Sequence, residues 1–326
     1  MQNARITGIA SYLPDYVLTN DELSHMVDTN DEWITTRVGI KERRILKKEV
    51  GSSFLGIQAV NKLLQETNTN PDDIDLLICA TSNPDYRFPS TASVIIHNCG
   101  LEKKCYGYDI QAACAGFIVA THEASAYIKA GIYKKVLVVC AEKMSSMVNY
   151  EDRATCPLFG DGAAAVLMEP TDEAVGFVDG VFHVDGSGLE HLLYKAGGSA
   201  HPTTHATVDA KENLLYQEGR AVYKHAVMDM LTSSQDIMKR NNLIVDDIQW
   251  LVPHQANLRI IEAVGGRLGI DESKVLVNIQ NVGNTSAASI PICLDQNKDK
   301  LKKGDKIVLT AFGAGFTWGA SYLIWG

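Results

Sequence analysis

No apolar run in this sequence approaches the roughly 20 residues that a membrane-spanning helix needs, so we do not expect an integral membrane protein. The first residues, MQNARITGIASYLPD, have neither an extended apolar segment nor a small-residue cleavage site, and we therefore expect no secretory signal. Together these features predict a cytoplasmic location. The apolar content of 46% and the charged content of 21% are ordinary for a globular protein.

Cysteine patterns typical of disulfide frameworks and zinc sites are also missing. The seven cysteines are an odd number, and none forms a C-x-x-C pair or stands with histidines at zinc spacing. We therefore expect no metal site. Most of the cysteines lie inside apolar runs such as LLICA and VLVVCA, where a free thiol packs as a small hydrophobic group.

The sequence contains no long run of lysine and arginine, and its formal net charge is -9. This balance argues against nucleic acid as the main partner, while local basic patches remain possible. With 326 residues, the chain favours two domain-sized halves or one large α/β unit.

The order of elements is duplicated along the chain. The segment DDIDLLICATS (72–82) resembles DDIQWLVPHQA (246–256), and each follows an amphipathic helix. Residues 108–131 and 277–304 each indicate a strand, a small-residue turn and a helix closed by glycine. The duplication predicts two α/β sheets packed through buried central helices, with halves at 1–170 and 171–326.

The segment from about 183 to 220 differs from both repeats. It is rich in glycine, histidine, threonine and serine and shows no hydrophobic period. We expect an irregular connection over the surface.

Cys114 differs from the other cysteines because it opens a predicted helix instead of lying within a strand. A helix start stabilises a thiolate, which makes this thiol a candidate nucleophile. A small buried residue at a tight helix start is the structural alternative.

Two possible partners for Cys114 lie in the second half. His254 follows a predicted buried strand in VPHQANLRI, and Asn284 stands at the helix start that we match with Cys114 through the repeat. If the halves pack about a pseudo-twofold axis, the three side chains meet in one cleft. A lone histidine at a strand end is otherwise a common structural residue.

The glycine-rich stretch AFGAGFTWG (311–319) lies between the last two predicted strands. It is not a dinucleotide-binding fingerprint, because it does not open a helix. The stretch is compatible with a tight turn and with an oxyanion hole formed by the backbone N–H groups of Ala314 and Cys114.

Four motifs, DIQAACAGF, VPHQANLRII, GNTSAAS and AFGAGFTWG, resemble those of β-ketoacyl-[acyl carrier protein] synthase III, a family of the thiolase superfamily. The resemblance extends over the whole chain and includes TNDEWITTRVGIKERRI (29–45) and LFGDGAAAVL (158–167). It implies a five-layered αβαβα thiolase fold, a homodimer and the start of fatty-acid synthesis from acyl-coenzyme A and malonyl-[acyl carrier protein]. It also implies that no external cofactor is required.

The resemblance also implies roles for individual residues. Cys114 accepts the acyl group, and His254 and Asn284 stabilise the enolate that forms on decarboxylation. The remaining roles fall into three groups. Coenzyme A is bound by Trp33, Arg37 and Arg153. The substrate channel is lined by Phe88, Tyr223 and Phe312, and Phe88 reaches the pocket of the partner. The carrier protein docks on Arg259, Arg220 and Lys224.

The chain departs from the family pattern at few positions. Ala154 stands where glycine is common, Tyr223 stands where phenylalanine is frequent, and MSSMVNYED before Arg153 is unusual. These differences affect substrate fit more than reaction type, and the primer's length and branching stay open.

Four alternatives remain beside the family assignment. A specialised synthase III paralogue shares the same motifs. A degradative thiolase requires a second cysteine in the final glycine-rich turn, where this chain has Gly313, Ala314 and Gly315. A papain-like protease lacks the duplicated halves, and a non-catalytic acyl-coenzyme A or carrier-binding protein would have lost a catalytic residue.

Overall fold

The computed structural model describes residues 2–326, which form a mixed α/β structure. The strands are, in chain order, β1 (Asn3–Tyr12), β2 (Val17–Thr19), β3 (Glu42–Arg44), β4 (Leu76–Ala80), β5 (Tyr106–Ile110), β6 (Val136–Lys143), β7 (Asp161–Thr171), β8 (Gly176–Val184), β9 (Leu192–Tyr194), β10 (Leu215–Gln217), β11 (Trp250–Pro253), β12 (Lys306–Gly313) and β13 (Thr317–Ile324). The α-helices are α1 (Asn20–Ser24), α2 (Asp31–Val38), α3 (Ser52–Thr67), α4 (Thr91–Asn98), α5 (Gly116–Lys129), α6 (His205–Asp209), α7 (Gly219–Arg240), α8 (Leu258–Leu268), α9 (Ile279–Val282) and α10 (Ser289–Gln296).

Two sheets carry the duplication. The first has five strands in the order β1-β7-β6-β4-β5, and the second has four in the order β11-β12-β13-β8. Each sheet contains a run of four strands in which one parallel pair, β4 with β6 or β11 with β12, continues into two antiparallel pairs, and the first sheet adds β5 parallel to β4. The same order and directions recur in both halves, so the duplication predicted from the sequence is confirmed. The strands of the first sheet lie within 3–171 and those of the second within 176–324.

Helices separate and cover the two sheets. The apolar side chains of α5 and α10 pack between the sheets, where Phe117 and Ile290 are almost fully buried. Helices α3 and α4 cover the outer face of the first sheet, and α7 and α8 cover that of the second. Five layers result, in the order α, β, α, β, α, which confirms the predicted architecture. No described helix is long and apolar enough to cross a membrane.

Close packing of the central layer depends on a glycine at the start of α5. A Cβ atom at Gly116 would lie 3.0 Å from that of Ala80 and 3.1 Å from that of Ala287. These distances are tighter than ordinary contacts between side-chain carbons, so glycine lets the two halves approach at this point.

The strand predicted near 277–280 is wrong. Leu251 makes only an isolated bridge with Val275, and the chain then forms α9, so the second sheet lacks a counterpart of β5. The side chain of Gln255 explains the difference. It donates to the Leu276 carbonyl at 3.2 Å and accepts from the Asn278 N–H at 3.0 Å, which replaces part of a strand ladder with side-chain bonds.

The segment 183–220 is also more regular than predicted. It contains β9 and β10, which pair as an antiparallel ribbon, and the short helix α6. Thr204 caps α6 with both bonds of a capping box. Each strand of the ribbon has three residues, too few to show a hydrophobic period. The ribbon is functionally relevant because Leu192 and Leu215 line the cavity described below.

Candidate active site

A cavity of about 540 Å³ brings together the three side chains that the sequence predicts to be catalytic. Cys114 lies between β5 and α5, His254 directly follows β11, and Asn284 lies between α9 and α10. All three line the cavity, although they come from opposite halves of the duplication.

Cys114 lies in the 3-10 turn Ala113–Ala115, immediately before α5. The glycine-rich turn approaches this backbone so closely that a Cβ atom at Gly313 would lie 2.6 Å from the Cys114 nitrogen. Any other residue at Gly313 would displace the Cys114 backbone. Glycine is therefore required here by the approach of two backbones, and not by an unusual φ angle.

The expectation of a low-pKa thiol at Cys114 needs correction. Burial, with a smaller contribution from the nearby Glu142 carboxylate, raises the pKa of Cys114 to about 12. A hydrogen bond between Sγ and the Ser286 hydroxyl, at 3.6 Å, opposes this effect only in part. In the resting site Cys114 is a neutral thiol at physiological pH, so its activation requires a group that accepts the proton.

The predicted equivalence of Cys114 and Asn284 is wrong by three residues. The turns Ala113–Ala115 and Ser286–Ala288 each lead directly into a central helix, and their first residues have φ angles of 45° and 50°. Cys114 therefore corresponds to Ala287. Asn284 reaches the cavity from the loop before this turn, where its N–H donates to the Leu158 carbonyl at 2.8 Å.

His254 is 2% exposed, and burial lowers its pKa to about 3. Its imidazole is therefore neutral at physiological pH, and one ring nitrogen carries a hydrogen. Nδ1 lies 2.7 Å from Oγ of Ser289. This hydroxyl already accepts from the Gln255 N–H at 3.4 Å, and within residues 2–326 its hydrogen has no other acceptor. Ser289 thus donates to Nδ1, which leaves Nε2 as the hydrogen-bond donor.

The side chain of Asn284 is oriented in a comparable way. Its Oδ1 accepts from the Ser286 N–H at 2.8 Å. Its Nδ2 donates to no acceptor in the described part of the chain, and the residue lines the cavity. His254 and Asn284 thus bring two neutral N–H donors to the same cavity as the Cys114 thiol.

The glycine-rich turn connects β12 with β13 at the same cavity. Ala314 lines the cavity and directly follows Gly313, the residue that lies against the Cys114 backbone. The turn thus lies where a backbone N–H could face an acyl group on Cys114.

Arginines surround the cavity on the solvent side. Arg37, Arg220 and Arg259 line it and are exposed. The guanidinium carbons of Arg37 and Arg153 lie 5.6 Å and 4.6 Å from the centroid of the Trp33 ring. A chain with a net charge of -9 therefore carries a basic rim around this cavity.

The other predicted site residues occupy three kinds of position. Tyr223 and Phe312 line the cavity, and Arg259 lies over the Tyr223 ring with its guanidinium carbon 5.7 Å from the centroid. Lys224 is exposed on α7 and does not line the cavity. Phe88 does not line the cavity of its own chain either, and it is 87% exposed.

Several residues of the site were not identified from the sequence. Apolar side chains that line the cavity come from separate segments: Met144, Met147, Leu158, Phe159, Leu192 and Met230. Ser286 and Ser289 are hydrogen-bonded to Cys114 and His254, and the Glu142 carboxylate lies near enough to Cys114 to affect its pKa. One signal was available, since Glu142 is a carboxylate at the end of the buried apolar run VLVVCA.

Within residues 2–326, no three histidine, cysteine, aspartate or glutamate side chains are grouped so that they could hold a metal ion.

The fold has five layers and two duplicated sheets, and one half contributes Cys114 to the cavity while the other contributes His254 and Asn284. This combination defines a thiolase-type condensing enzyme. Family models for 3-oxoacyl-[acyl-carrier-protein (ACP)] synthase III match residues 108–186, and models for the C-terminal part of that enzyme match residues 238–325. The chain belongs to the β-ketoacyl-[acyl-carrier-protein] synthase III family, which is a family of acyltransferases.

Several named proteins match almost the whole chain. A protein named β-ketoacyl-[acyl-carrier-protein] synthase III 2, from Bacteroides thetaiotaomicron, is 57% identical over 99% of this chain and 97% of its own length. The synthase III of Porphyromonas gingivalis strain W83 is 56% identical over 99% of this chain and 96% of its own length. In the crystal structure of 3-oxoacyl-[acyl-carrier-protein] synthase III from Aquifex aeolicus, the chain is 42% identical in sequence to this one. The two structures superpose with a TM-score of 0.90 over 99% of this chain and all of the Aquifex chain. These matches favour synthase III over the alternative of a specialised paralogue.

Proposed function

We propose that this enzyme condenses an acyl-coenzyme A primer with malonyl-[acyl carrier protein], which gives 3-oxoacyl-[acyl carrier protein], free coenzyme A and carbon dioxide. The reaction starts type II fatty-acid synthesis. One observation carries the proposal: a single cavity holds a thiol and two neutral N–H donors, on Cys114, His254 and Asn284, beside a glycine-rich turn. Family membership supports the same reaction.

The first half-reaction is an acyl transfer to Cys114. After the thiol has lost its proton, the sulfur attacks the thioester carbonyl of acyl-coenzyme A. The tetrahedral intermediate collapses with loss of the coenzyme A thiolate, which leaves an acyl-cysteine. The N–H groups of Cys114 and Ala314 are the proposed donors to the oxyanion, because Gly313 holds the turn against the Cys114 backbone.

The second half-reaction uses the two neutral donors. Nε2–H of His254 and Nδ2–H of Asn284 bind the malonyl thioester oxygen, where negative charge grows as carbon dioxide leaves. The resulting enolate carbon attacks the acyl-cysteine carbonyl, and the Cys114 thiolate is expelled. A neutral imidazole suits this role, because the low pKa of His254 keeps it from becoming a cation that would bind the malonyl carboxylate.

Coenzyme A is proposed to enter along Trp33, Arg37 and Arg153. An indole ring between two guanidinium groups offers a flat surface for an adenine ring and positive charge for phosphates. Arg37 also lines the cavity, so this surface is continuous with the route to Cys114.

Carrier-protein docking is assigned to Arg259 and Arg220, with Lys224 at the edge. Both arginines are exposed at the cavity, whereas Lys224 stands one helical turn beyond Arg220. A local basic surface is needed, since an acidic carrier would be repelled by the overall charge of -9.

A homodimer is the proposed assembly, with Phe88 in the pocket of the partner. Phe88 is 87% exposed and the neighbouring Tyr86 is 60% exposed, which is unusual for two large apolar side chains so close in sequence. Strand β5 supports the same interface, because it forms the edge of the first sheet without a second neighbour among the described strands.

No cofactor is included in this proposal, because thioester exchange and decarboxylation need only the groups named above. The cytoplasmic location remains a prediction from the sequence. The test is to incubate the enzyme with a panel of acyl-coenzyme A esters and to measure the adduct mass on Cys114, followed by addition of malonyl-carrier. We expect one acyl group per chain and its conversion to 3-oxoacyl-carrier. An adduct on another residue, or none with any ester, would refute the proposal.

A further inference from the structure

Ser289 is a buried hydroxyl that takes no part in the chemical steps proposed above. It is the first residue of α10 and is 2% exposed, as is His254. The two side chains come from different layers, because α10 lies between the sheets while His254 follows the second-sheet strand β11. Oγ of Ser289 lies 2.7 Å from Nδ1 of His254, so a well-formed hydrogen bond joins two buried groups.

The hydroxyl of Ser289 is not used by its own helix. Serine at a helix start usually caps the first turn, but the N-cap of α10 is Ala288 and this end has no side-chain cap hydrogen bond. Serine inside a helix often bonds back to a carbonyl one turn earlier, as Ser234 does with Met230 at 2.7 Å in α7. Ser289 makes neither bond in the described chain, so its hydrogen is available to His254.

The hydrogen bonds around Ser289 fix which of the two groups donates. Its Oγ accepts from the Gln255 N–H at 3.4 Å, and Nδ1 of His254 is the one acceptor for its hydrogen within residues 2–326. If Nδ1 carried the hydrogen instead, Oγ would accept twice and a buried O–H would have no partner. The missing bond disfavours the tautomer with hydrogen on Nδ1 by roughly tenfold or more.

The tautomer decides what the imidazole can do in the cavity. His254 lines the cavity that also holds Cys114, and its Nε2 has no partner among the described residues. With a hydrogen on Nε2, the ring can donate to an oxyanion but has no free lone pair there for the Cys114 proton. With a bare Nε2, the ring could take that proton but would repel the malonyl thioester oxygen.

A cationic imidazole would carry both hydrogens and would remove this choice. Burial prevents it at physiological pH, because the pKa of His254 falls to about 3. Within residues 2–326, no aspartate or glutamate lines the cavity, so no acidic side chain there stabilises the cation. The neutral ring therefore has a single N–H, and the contact at Nδ1 determines its position.

We propose that Ser289 assigns His254 to the decarboxylation step, because its hydroxyl donates to Nδ1 and so holds the hydrogen of the ring on Nε2. Ser289 acts through the imidazole and is therefore a positioning residue. The inference rests on the proposed function, in which Nε2–H binds the malonyl thioester oxygen. It adds the reason why His254 does not serve as the base for Cys114, although both side chains line one cavity.

The position of the hydrogen on His254 is measured by NMR of enzyme labelled with ¹⁵N in histidine only. The chain has nine histidines, and the signals of His254 are identified by their absence from His254→Gln. In the parent enzyme at neutral pH we expect Nδ1 to have the shift of an unprotonated nitrogen and Nε2 that of a protonated one. Ser289→Ala should move both shifts toward the average of two exchanging tautomers. This measurement needs no turnover.

The same variant separates the two half-reactions. Ser289→Ala should lower carbon dioxide release from malonyl-carrier roughly tenfold or more, while acyl-enzyme formation from acyl-coenzyme A stays within about threefold of the parent. Ser289→Thr keeps the hydroxyl and should restore both the parent tautomer and decarboxylation. In the background of His254→Ala, Ser289→Ala should cause no further loss, since its effect passes through the imidazole.

Ser234→Ala makes the same substitution at another buried serine and is the control. The Ser234 hydroxyl bonds to the Met230 carbonyl, so this variant should keep the parent signals of His254 and both parent rates. Thermal unfolding shows whether each variant is folded. If Ser289→Thr does not fold, the double variant with His254→Ala decides the question.

Three results would overturn the inference. The first is a protonated Nδ1 in the parent enzyme. The second is a Ser289→Ala variant with the parent nitrogen shifts or the parent rate of decarboxylation. The third is a further loss in the double variant as large as that in Ser289→Ala alone, which would mean that Ser289 acts without His254. If the NMR result is as expected but the parent neither forms an acyl-enzyme nor decarboxylates malonyl-carrier, the tautomer assignment stands and the proposed function fails.

Discussion

The guanidinium group of Arg153 lies over the indole ring of Trp33, with its carbon 4.6 Å from the ring centroid. Arg153 also forms an exposed ion pair with Asp28 at 3.4 Å. The ion pair is weak in water, and its exposed position lets the arginine move aside. In the proposed binding mode, the adenine ring of coenzyme A takes over the stacking on Trp33 while Arg153 remains in contact.

Trp33→Ala should weaken binding of acyl-coenzyme A. Stacking of a base on an aromatic ring contributes about 1 to 3 kcal/mol, so we expect KM for acyl-coenzyme A to rise roughly 5-fold to 150-fold with little change in kcat. KM for malonyl-carrier should change much less. Steady-state kinetics with each substrate varied in turn measure both values. Arg267→Ala, in the last turn of α8 and outside the cavity lining, is the control. An equal rise in both KM values would contradict this assignment.

Reversal of charge at Arg259 should impair the step that uses the carrier. For Arg259→Glu we expect kcat/KM with malonyl-carrier to fall roughly tenfold at low salt, and its sensitivity to added salt to decrease. Lys224→Glu should have a smaller effect, because Lys224 does not line the cavity. Lys302→Glu makes the same charge change on a remote exposed loop and should be silent. A decrease of the same size in that control would mean that net charge, and not a docking surface, determines the rate.

His254 should make the fold sensitive to acid. Its pKa falls from 6.5 in the unfolded chain to about 3 in the fold, so between these values the unfolded state binds a proton that the folded state does not. The stabilisation that the fold gains from a neutral, buried His254 is thus complete above pH 6.5 and is lost as the pH falls toward 3. From pH 7 to pH 5 this amounts to about 2 kcal/mol of unfolding free energy.

The variant His254→Gln removes this titration. Urea unfolding at pH 7 and pH 5, at one protein concentration, should show that the parent enzyme loses about 2 kcal/mol more than the variant over this interval. Other titrating groups are the same in both proteins and cancel. Equal losses would show that His254 is accessible to protons in the folded state.

Phe88→Asp should weaken the proposed dimer. A buried phenylalanine contributes about 1.5 to 3 kcal/mol, and twofold symmetry counts it twice, so the dissociation constant should rise roughly 100-fold or more. Sedimentation velocity at micromolar concentration measures the shift from dimer to monomer. Ile244→Asp, at a site that is 65% exposed in the second half, should leave the assembly unchanged. A parent enzyme that sediments as a monomer would refute the dimer itself.

The layers of the fold were predictable because their signals repeat. Helical periods in α3 and α7, apolar runs in β4 and β11, and the recurrence of both in one order specify sheets covered by helices. The missing strand near 277–280 was not predictable, because its cause is the side chain of Gln255, which bonds to Leu276 and Asn278. A side chain that replaces the backbone hydrogen bonds of a strand pair produces no periodic pattern in the sequence.

The sequence predicted only those residues of the candidate site that belong to recognisable motifs. Cys114, His254 and Asn284 stand in motifs, and all three line one cavity even though the repeat register was wrong by three residues. The raised pKa of Cys114 and the contact of its thiol with Ser286 depend on burial and on segments far apart in the chain. Local sequence contains no information on either.

The central claim is that Cys114 performs acyl transfer while His254 and Asn284 serve decarboxylation. The most direct measurement follows the two half-reactions separately in His254→Ala and Asn284→Ala: acyl-enzyme by intact mass, and carbon dioxide released from malonyl-carrier. Both variants should still accumulate acyl-enzyme. Decarboxylation should fall about 100-fold to 1000-fold in each, and the two losses should not add in the double variant, because both donors stabilise one oxyanion. Loss of acylation with decarboxylation intact in His254→Ala would contradict the account and would make His254 the base that activates Cys114.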